Sequence, residues 1–468
     1  MIKIYNSLTK KKQDFKPVEG KKIKMYSCGV TVYDDCHIGH ARSLYVFDVI
    51  CRYLEFKGYK VNFVRNITDI DDKIINKAKQ AGVGWKELSD RYIKLYRKDV
   101  ENLGLRPVDF EPKATENIED MIIYIKELID KGYAYKTNSG VYFEVRKFKG
   151  YGKLSGQKID DIASSGRIKS DENKRDPLDF ALWKIVQLQE PGWDSPWGRG
   201  RPGWHIECSV MSQKYLKRNT LDIHGGGRDL IFPHHENEAA QAESLSGKNF
   251  ANYWIHHGLL TIDSQKMSKS LGNFIKISDV LDKYPANALK LFYLQAHYSS
   301  SIDFSWQKME EAQKAYQHIK ISKERLENFL KNEKPKPPLS RPNSKIKNYK
   351  QNFIEAMDDD FNMPKGLAVL FDLVNRINGE LAGEAKEKNK NLTYYRQALD
   401  QIASVFGFDF SKKKLEGITK GKVEELIAER NLYRNQKQFD KSDQIRSRLL
   451  EKGIILEDTK EGTVWRRK

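Results

Sequence analysis

Cysteine is scarce: the 468 residues hold four, Cys28, Cys36, Cys51 and Cys208. So few in so long a chain exclude a disulfide framework and fit a reducing compartment. Long apolar runs are also missing; none approaches the ~20 residues of a membrane span, so no membrane partner is expected. The opening residues, Met-Ile-Lys-Ile-Tyr-Asn, lack a signal-peptide apolar stretch, and a cytoplasmic location is the expectation. There is no repeat or extended low-complexity tract. Neither Cys-x-x-Cys nor His-Glu-x-x-His occurs, so no metal site is announced by spacing alone. Acidic residues are in deficit, 64 against 82 Lys and Arg, a net charge of +18. That excess suits a polyanionic partner such as nucleic acid, with a solvated basic surface as the plain alternative.

What is present suffices for several domains, about three by length. The stretch from Met25 to His40 organises the rest. Ile23 to Val32 reads as a buried strand running into a turn. Ala41 to Gly58 reads as a helix burying Leu44, Phe47, Ile50 and Leu54, with Gly58 closing it. Lys60 to Thr68 is the next strand, completing a βαβ unit and implying a parallel sheet. Cys28 then lies near a strand's C-terminal end, and His37 and His40 lie at a helix N-terminus. That edge of an α/β sheet binds ligands, and free helix N–H groups suit phosphate. Asp69, Asp71 and Asp72 follow the second strand, at least two of them as helix-capping or first-turn acids.

Further on, helices are expected over Trp85 to Leu103 and Thr115 to Lys131. A hairpin is expected over Gly132 to Tyr135 and Gly140 to Val145, then a polar stretch from Lys147 to Arg175. This block interrupts the sheet as an insertion, and Pro177 to Trp183 and Pro191 to Gly203 carry the chain back. Trp204 opens a helix, Leu221 to His224 is a strand running into three glycines, and Phe232 to Glu238 starts another helix. Asn252 to Ile262 reads as a buried central strand. From Ile277 the chain is mostly helical, broken by a Pro/Lys linker from Lys334 to Lys345, and it ends in helix, helix and short strands.

Two constellations carry chemistry. Cys28, Cys208, His234 and Glu238 fall at or near the ligand edge, and His234 and Glu238, i and i+4, share a helix face. Thiolate, imidazole and carboxylate are zinc ligands, and four of them fill a tetrahedron. On these grounds His235 or His224 could replace His234, and buried apolar cysteines beside capping histidines are the alternative. In the second constellation, His37 and His40 can donate to phosphate oxygens and Gly39 lets a flat base approach. Lys266 and Lys269 of the loop Lys266 to Asn273 add positive charge. Transfer at a phosphate needs charge stabilisation above all; a capped helix start and a solvated loop are the alternative.

His-Ile-Gly-His early on a βα turn and Lys-Met-Ser-Lys-Ser before a helical half together resemble the two signatures of class I aminoacyl-tRNA synthetases. Cys28 to Asp34, Asn66 to Lys73, Gly203 to Cys208, Asp222 to Gly227, Phe232 to Glu238 and the closing Gly462 to Lys468 resemble the cysteinyl-tRNA synthetase family. The resemblance runs the length of the chain and is weakest in Lys147 to Arg175 and Lys331 to Lys350. It implies an α/β fold: a Rossmann-like parallel-sheet catalytic domain with an α+β insertion, then a helical bundle and a small mixed α/β domain. The implied boundaries are 1–114 and 201–262 for the two catalytic halves and 115–200 for the inserted connective domain. Residues 263–305 would hold the Lys-Met-Ser-Lys-Ser loop and stem-contact region, 306–407 the anticodon-stem bundle and 408–468 the small anticodon-binding domain.

The resemblance also implies the activity: ligation of L-cysteine to tRNA(Cys), driven by ATP with Mg2+. One zinc per chain would be held by Cys28, Cys208, His234 and Glu238; Cys36 and Cys51 match no ligand. His37, Gly39, His40, Lys266 and Lys269 would bind ATP, the histidines and lysines acting in catalysis. Gly29, Thr68 and Trp204 would form the cysteine pocket, with Asp229 an ammonium or ATP-side contact. Trp465, Arg466 and Arg467 would meet tRNA, Trp465 by stacking; a core Trp in a small domain is the alternative. Cysteine and serine differ by one atom, so selection by zinc–thiolate coordination without an editing domain is expected. A monomer is expected. Two rivals remain: a related cysteine ligase with a small amine acceptor, as in the mycothiol pathway, which lacks an extended anticodon-binding half; and a non-catalytic, zinc-stabilised RNA-binding protein.

Overall fold

A computed structural model describes residues 1–159, 173–267, 272–331, 348–383, 388–410, 420–436, 438–451, 454–459 and 462–467. Lys269, residues 160–172 of the polar insertion tract and the Pro/Lys linker lie outside the described residues. The chain divides into two units, Met1–Asp409 and Phe410–Lys468.

The first unit is built on four parallel strands: β1 (Lys22–Thr31), β2 (Lys60–Thr68), β3 (Leu221–Gly227) and β4 (Ala251–His257), in the order β4-β3-β1-β2. The strands are near-continuously buried, β3 at all seven positions, because helices cover both faces of a parallel sheet. Helix α1 (Ile38–Phe56) joins β1 to β2. The chain then leaves and returns as α2 (Trp204–Leu216) to build β3 on the other side of β1. The order thus reverses between β1 and β3, which places a switch point at their C-terminal ends. Helix α1 is buried nearly all round, since its outer side meets the helical bundle: Tyr45 Oη donates to Phe406 O (2.8 Å) and Tyr53 Oη to Asp358 Oδ1 (2.6 Å).

Three sequence expectations change. Asn252 to Ile262 is not one central strand. It breaks at Gly258 into β4 and a separate strand, Leu260–Ile262, which belongs to a three-stranded sheet with Gln265–Lys266 and Ile302–Phe304. Strand β4 is the sheet's edge. It stays apolar because the N-terminal hairpin (Lys3–Asn6 with Lys11–Asp14) covers it: Ser7 N donates to Trp254 O (3.0 Å) and Trp254 N to Asn6 Oδ1 (3.0 Å). Third, the expected return connections are strands. Phe180–Ile185 and Gly200–Pro202 complete a four-stranded antiparallel sheet with the expected hairpin, Ala134–Lys136 and Gly140–Phe143.

Beyond the three-stranded sheet come helices Ala286–Leu294, Trp306–Lys331, Tyr349–Asp358, Met363–Ala382 and Lys388–Val405. The second unit has helices Lys420–Asn435 and Phe439–Glu451 and an antiparallel hairpin, Ile454–Thr459 with Gly462–Arg467. Its core is Val423, Leu426, Ile427, Ile445, Leu449, Ile454 and Leu456, and Trp465 packs against it, half-buried.

Candidate active site

The switch point gathers most of the residues singled out above. Strand β1 carries an irregularity between Ser27 and Val30, where its register with β2 shifts. Gly29 sits in it, with its N–H on Asn66 Oδ1 (2.8 Å); a Cβ there would lie 1.6 Å from Asn66 O, so only glycine fits. The irregularity aims Cys28 at α2 and at the segment before α3 (Glu236–Ser246). Cys208 comes from the second turn of α2. His234 lies in a kinked turn, Ile231–His235, with Phe232 non-helical, and Glu238 lies in the first turn of α3.

The ligand atoms of Cys28, Cys208, His234 and Glu238 all lie within 4.8 Å of one another and fit a metal ion. Cys28 Sγ and Cys208 Sγ are 3.7 Å apart, Cys208 Sγ and His234 Nε2 3.6 Å, Cys28 Sγ and Glu238 Oε1 3.3 Å, and His234 Nε2 and Glu238 Oε1 2.9 Å. Zinc bond lengths give tetrahedral edges of roughly 3.3–3.8 Å, which three of these four match. A second set, Cys28, His224, His235 and Glu238, is equally compact. Its His224 Nε2–Glu238 Oε2 distance of 2.7 Å and Cys28 Sγ–His235 Nε2 distance of 3.2 Å are those of proton-sharing pairs. The first set contains such a pair too, His234 Nε2–Glu238 Oε1 at 2.9 Å, so both sets are compatible with an ion; they share Cys28 and Glu238.

The imidazoles in and around the cradle are held from behind. His234 Nδ1 meets His205 Nδ1 (2.8 Å), and His235 Nδ1 meets His256 Nε2 (2.8 Å), whose Nδ1 meets Ser7 Oγ (2.8 Å). Such backing fixes tautomer and ring orientation. Burial works against an ionised Glu238, yet imidazoles on its oxygens, His224 and His234, hold it well below the usual carboxylate range. Burial likewise opposes a Cys208 thiolate, but the bonds from Cys28 and His234 bring it to about 7. Burial and the neighbouring Cys208 push the Cys28 thiol well up.

Trp204, 37% exposed, stacks on His234 at 4.0 Å between ring centroids. Buried Thr68 donates to Glu207 Oε2 (2.6 Å) and accepts from Asn66 Nδ2 (3.4 Å). Beside these groups the end of β3 is bare. A Cβ on Gly225 would meet the Phe47 ring at 2.3 Å, one on Gly226 His235 at 2.6 Å, and one on Gly227 the Asp229 carboxylate at 2.4 Å. Asp229 is exposed and folded over Gly227, and its charge acts on His37.

His37 and His40 form a reciprocal cap on α1. His37 Nδ1 accepts from Gly39 N (3.1 Å) and His40 N (3.3 Å), and His40 Nδ1 accepts from His37 N (3.3 Å). The rings stack with centroids 3.7 Å apart. Burial brings His37 down to about 4; burial and the neighbouring His37 put His40 well below its usual value. With both Nδ1 atoms accepting, each neutral ring carries its proton on Nε2 as a donor. The capping and phosphate-donating readings are therefore both compatible with one geometry. The space over Gly39 is occupied by the His37 ring, 2.9 Å from where a Cβ would lie, and by the Met267 methyl at 3.4 Å. Lys266 lies on the strand Gln265–Lys266; its side chain and all of Lys269 lie outside the described residues. Trp465 is in the second unit's hairpin, as are Arg466 and Arg467, whose side chains are not described.

Several participants had no role in the sequence reading: Asn66 and Glu207 beneath Thr68, and His205, His256 and the backing role of His224 and His235 around the cradle. The available signal was ten histidines, six of them within residues 205–257. Arg42 and Lys276 gave no signal. Asp71 caps the helix at Lys73 (2.8 Å), Asp72 pairs with Lys184 and Arg201, and Asp69 accepts from Thr115 instead.

Residues 14–314 match the family of tRNA synthetases class I (C) catalytic domains, and residues 352–411 match the DALR domain. The chain is 49% identical over 485 residues to the cysteine–tRNA ligase of Thermodesulfovibrio yellowstonii, covering 99% of each. It is 49% identical to that of Persephonella marina over all of both chains, and 46% identical to that of Aquifex aeolicus over 100% of this chain and 99% of that one. Among solved structures, Mycobacterium tuberculosis methionyl-tRNA synthetase with methionyl-adenylate superposes at a TM-score of 0.61, with 15% identity over 82% of this chain and 89% of that one. The LeuRS–tRNA–LeuAMS complex of Agrobacterium radiobacter K84 superposes at 0.64, with 10% identity over 85% and 86%; at such identities the likeness concerns the fold alone. Nearly half the residues are shared with full-length relatives, and the chain belongs to the cysteine–tRNA ligase family, with a class I catalytic domain.

Proposed function

We propose that this chain activates L-cysteine with Mg2+-ATP and transfers the cysteinyl group to the 3′ end of tRNA(Cys). The observation that carries the reading is one sheet edge bearing both a Cys28–Cys208–His234–Glu238 cradle and, nine residues after Cys28, a neutral two-histidine cap. In the first step the cysteine carboxylate attacks the α-phosphorus, and the bond to the leaving pyrophosphate breaks. The Nε2–H groups of His37 and His40 stand ready for the growing charge, held by the helix cap and needing no reorganisation. Lys266 and Lys269 supply cations to the departing pyrophosphate. In the second step a ribose hydroxyl of the tRNA end attacks the carbonyl, and AMP leaves.

Zinc in the cradle, when bound, supplies a soft acid that takes a substrate sulfur as thiolate and binds serine's hydroxyl far more weakly. Gly29, Thr68 and Trp204 wall the cysteine pocket, and Asp229 faces its ammonium or the ATP side. Gly39 and its neighbours receive the nucleotide. Trp465, Arg466 and Arg467 meet tRNA. One chain carries every residue this reading needs, and it is proposed to work as a monomer in the cytoplasm. Among the described residues no helix is long and apolar enough to cross a membrane. The test is aminoacylation of total tRNA with cysteine against serine, with and without a zinc chelator. Charging with cysteine alone, abolished by the chelator and restored by zinc, is expected. Equal charging with serine, or indifference to chelation, would overturn the reading.

A further inference from the structure

Arg42 lies two residues beyond His40 on α1 and is 1% exposed. Among the described residues no carboxylate pairs with it. Four backbone carbonyls hold its guanidinium instead: Nη1 donates to Gly258 O and Leu259 O (2.8 Å each), and Nη2 to Tyr298 O (3.3 Å) and Ser300 O. These carbonyls come from two segments. Residues 258–259 lead into Leu260–Ile262 and so into Gln265–Lys266; residues 298–300 lead into Ile302–Phe304, the parallel neighbour of Leu260–Ile262. The segments meet closely. Gly258 N donates to Tyr298 O (2.9 Å), and a Cβ on Gly258 would lie 2.2 Å from Ser300 O. Arg228 grips the second segment too, at Ser299 O (2.6 Å).

The far end of the lysine segment is tied to the same helix. Ile38 N donates to Ile275 O (3.1 Å), Ile277 N to Cys36 O (3.0 Å), and Lys276 pairs with Asp35 (2.7 Å). The chain on both sides of residues 266–274 is thus fastened to the start of α1, where His37 and His40 sit. A buried cation without an anion costs stability, and an apolar side chain would fill the same space more cheaply. What an apolar side chain lacks is a planar fork of donors reaching two chain segments at once.

We propose that Arg42 is a positioning residue for adenylate formation, setting the strand that carries Lys266 against the His37–His40 cap. This rests on the ligase reading. The measurement compares wild type, Arg42→Met and Arg42→Lys, each loaded with zinc, in cysteine-dependent ATP–pyrophosphate exchange and in transfer from preformed cysteinyl-adenylate to tRNA. Absence of exchange in the wild type would sink the ligase reading itself; with exchange present, the variants decide on Arg42. Misplacement by an ångström costs about 100-fold, so Arg42→Met should lose about that in exchange kcat. KM for cysteine and the transfer step should stay within about threefold, and Arg42→Lys should regain part of the exchange, since an ammonium also donates to carbonyls. The proposal is overturned by exchange kcat near wild type in a folded Arg42→Met. Exchange and transfer falling together in step with the melting temperature, or neither variant folding, would also overturn it by leaving Arg42 a folding role alone.

Discussion

At the scale of single residues, the cradle depends on side chains whose types are visible in the sequence but whose choice is not. Cysteine, histidine and carboxylate near one sheet edge can be read off. That His234 and His235 join His224 within reach of Cys28 and Glu238 depends on a kinked turn at Ile231–His235, which no periodicity announces. Gly29 is similar: its residue type is evident, but the need for glycine comes from Asn66 on the adjacent strand. We expect Cys28→Ser and His234→Ala to lose zinc, since each removes one of four ligands. Metal analysis of the purified variants checks this, and stoichiometric zinc with unimpaired cysteine activation would contradict the assignment. The Trp204 ring on His234 should register the loss as a change in tryptophan fluorescence between loaded and stripped wild type.

At the scale of elements, the first βαβ unit was legible because its strands are apolar throughout and its helix is long. Lys60 to Thr68 is read at the bounds it adopts. The misread elements share a physical cause. Gly200–Pro202 is three residues long, and Phe180–Ile185 borders a polar tract, so neither shows alternation over enough positions to mark a strand. Strand β4 reads as central because apolar length signals burial, and on its outer edge that burial is supplied by the distant Asn6–Ser7 segment rather than by a second parallel strand. Strand β3 is read as stopping before its glycines, yet all three are paired in the sheet. They face groups that leave no room for a methyl, so Gly225→Ala should force the Phe47 ring out of place. Overpacking of this kind costs about 1–3 kcal/mol, read as a lower urea midpoint with an unchanged m-value. An unaltered midpoint would mean that Phe47 has another place to go.

At the scale of the whole molecule, length alone suggests about three domains, and the contacts divide the chain into two units, Met1–Asp409 and Phe410–Lys468. The order of sheet, then helices, then a final helix–helix–strand segment is legible in the pattern of the sequence. Which residues are buried as neutral bases is not. Burial brings His37 and His257 each down to about 4, below the ~6.5 of an exposed histidine. Between those values the unfolded chain binds protons that the folded chain refuses. Stability is therefore intact above about pH 6.5 and is lost as pH falls toward 4. Denaturant midpoints across that range should fall, and His257→Asn should fall less steeply than wild type. Parallel curves would show that His257 is not held neutral.

The reciprocal histidine cap has a calorimetric consequence. Rings whose Nδ1 atoms are committed to helix amides, and whose pKa values already lie far below neutrality, take up no proton when a polyphosphate arrives. Titrated with a non-hydrolysable ATP analogue at pH 8, the protein should release the same heat in buffers of high and low ionisation enthalpy. Nucleotide capture would then be decoupled from the proton concentration around it.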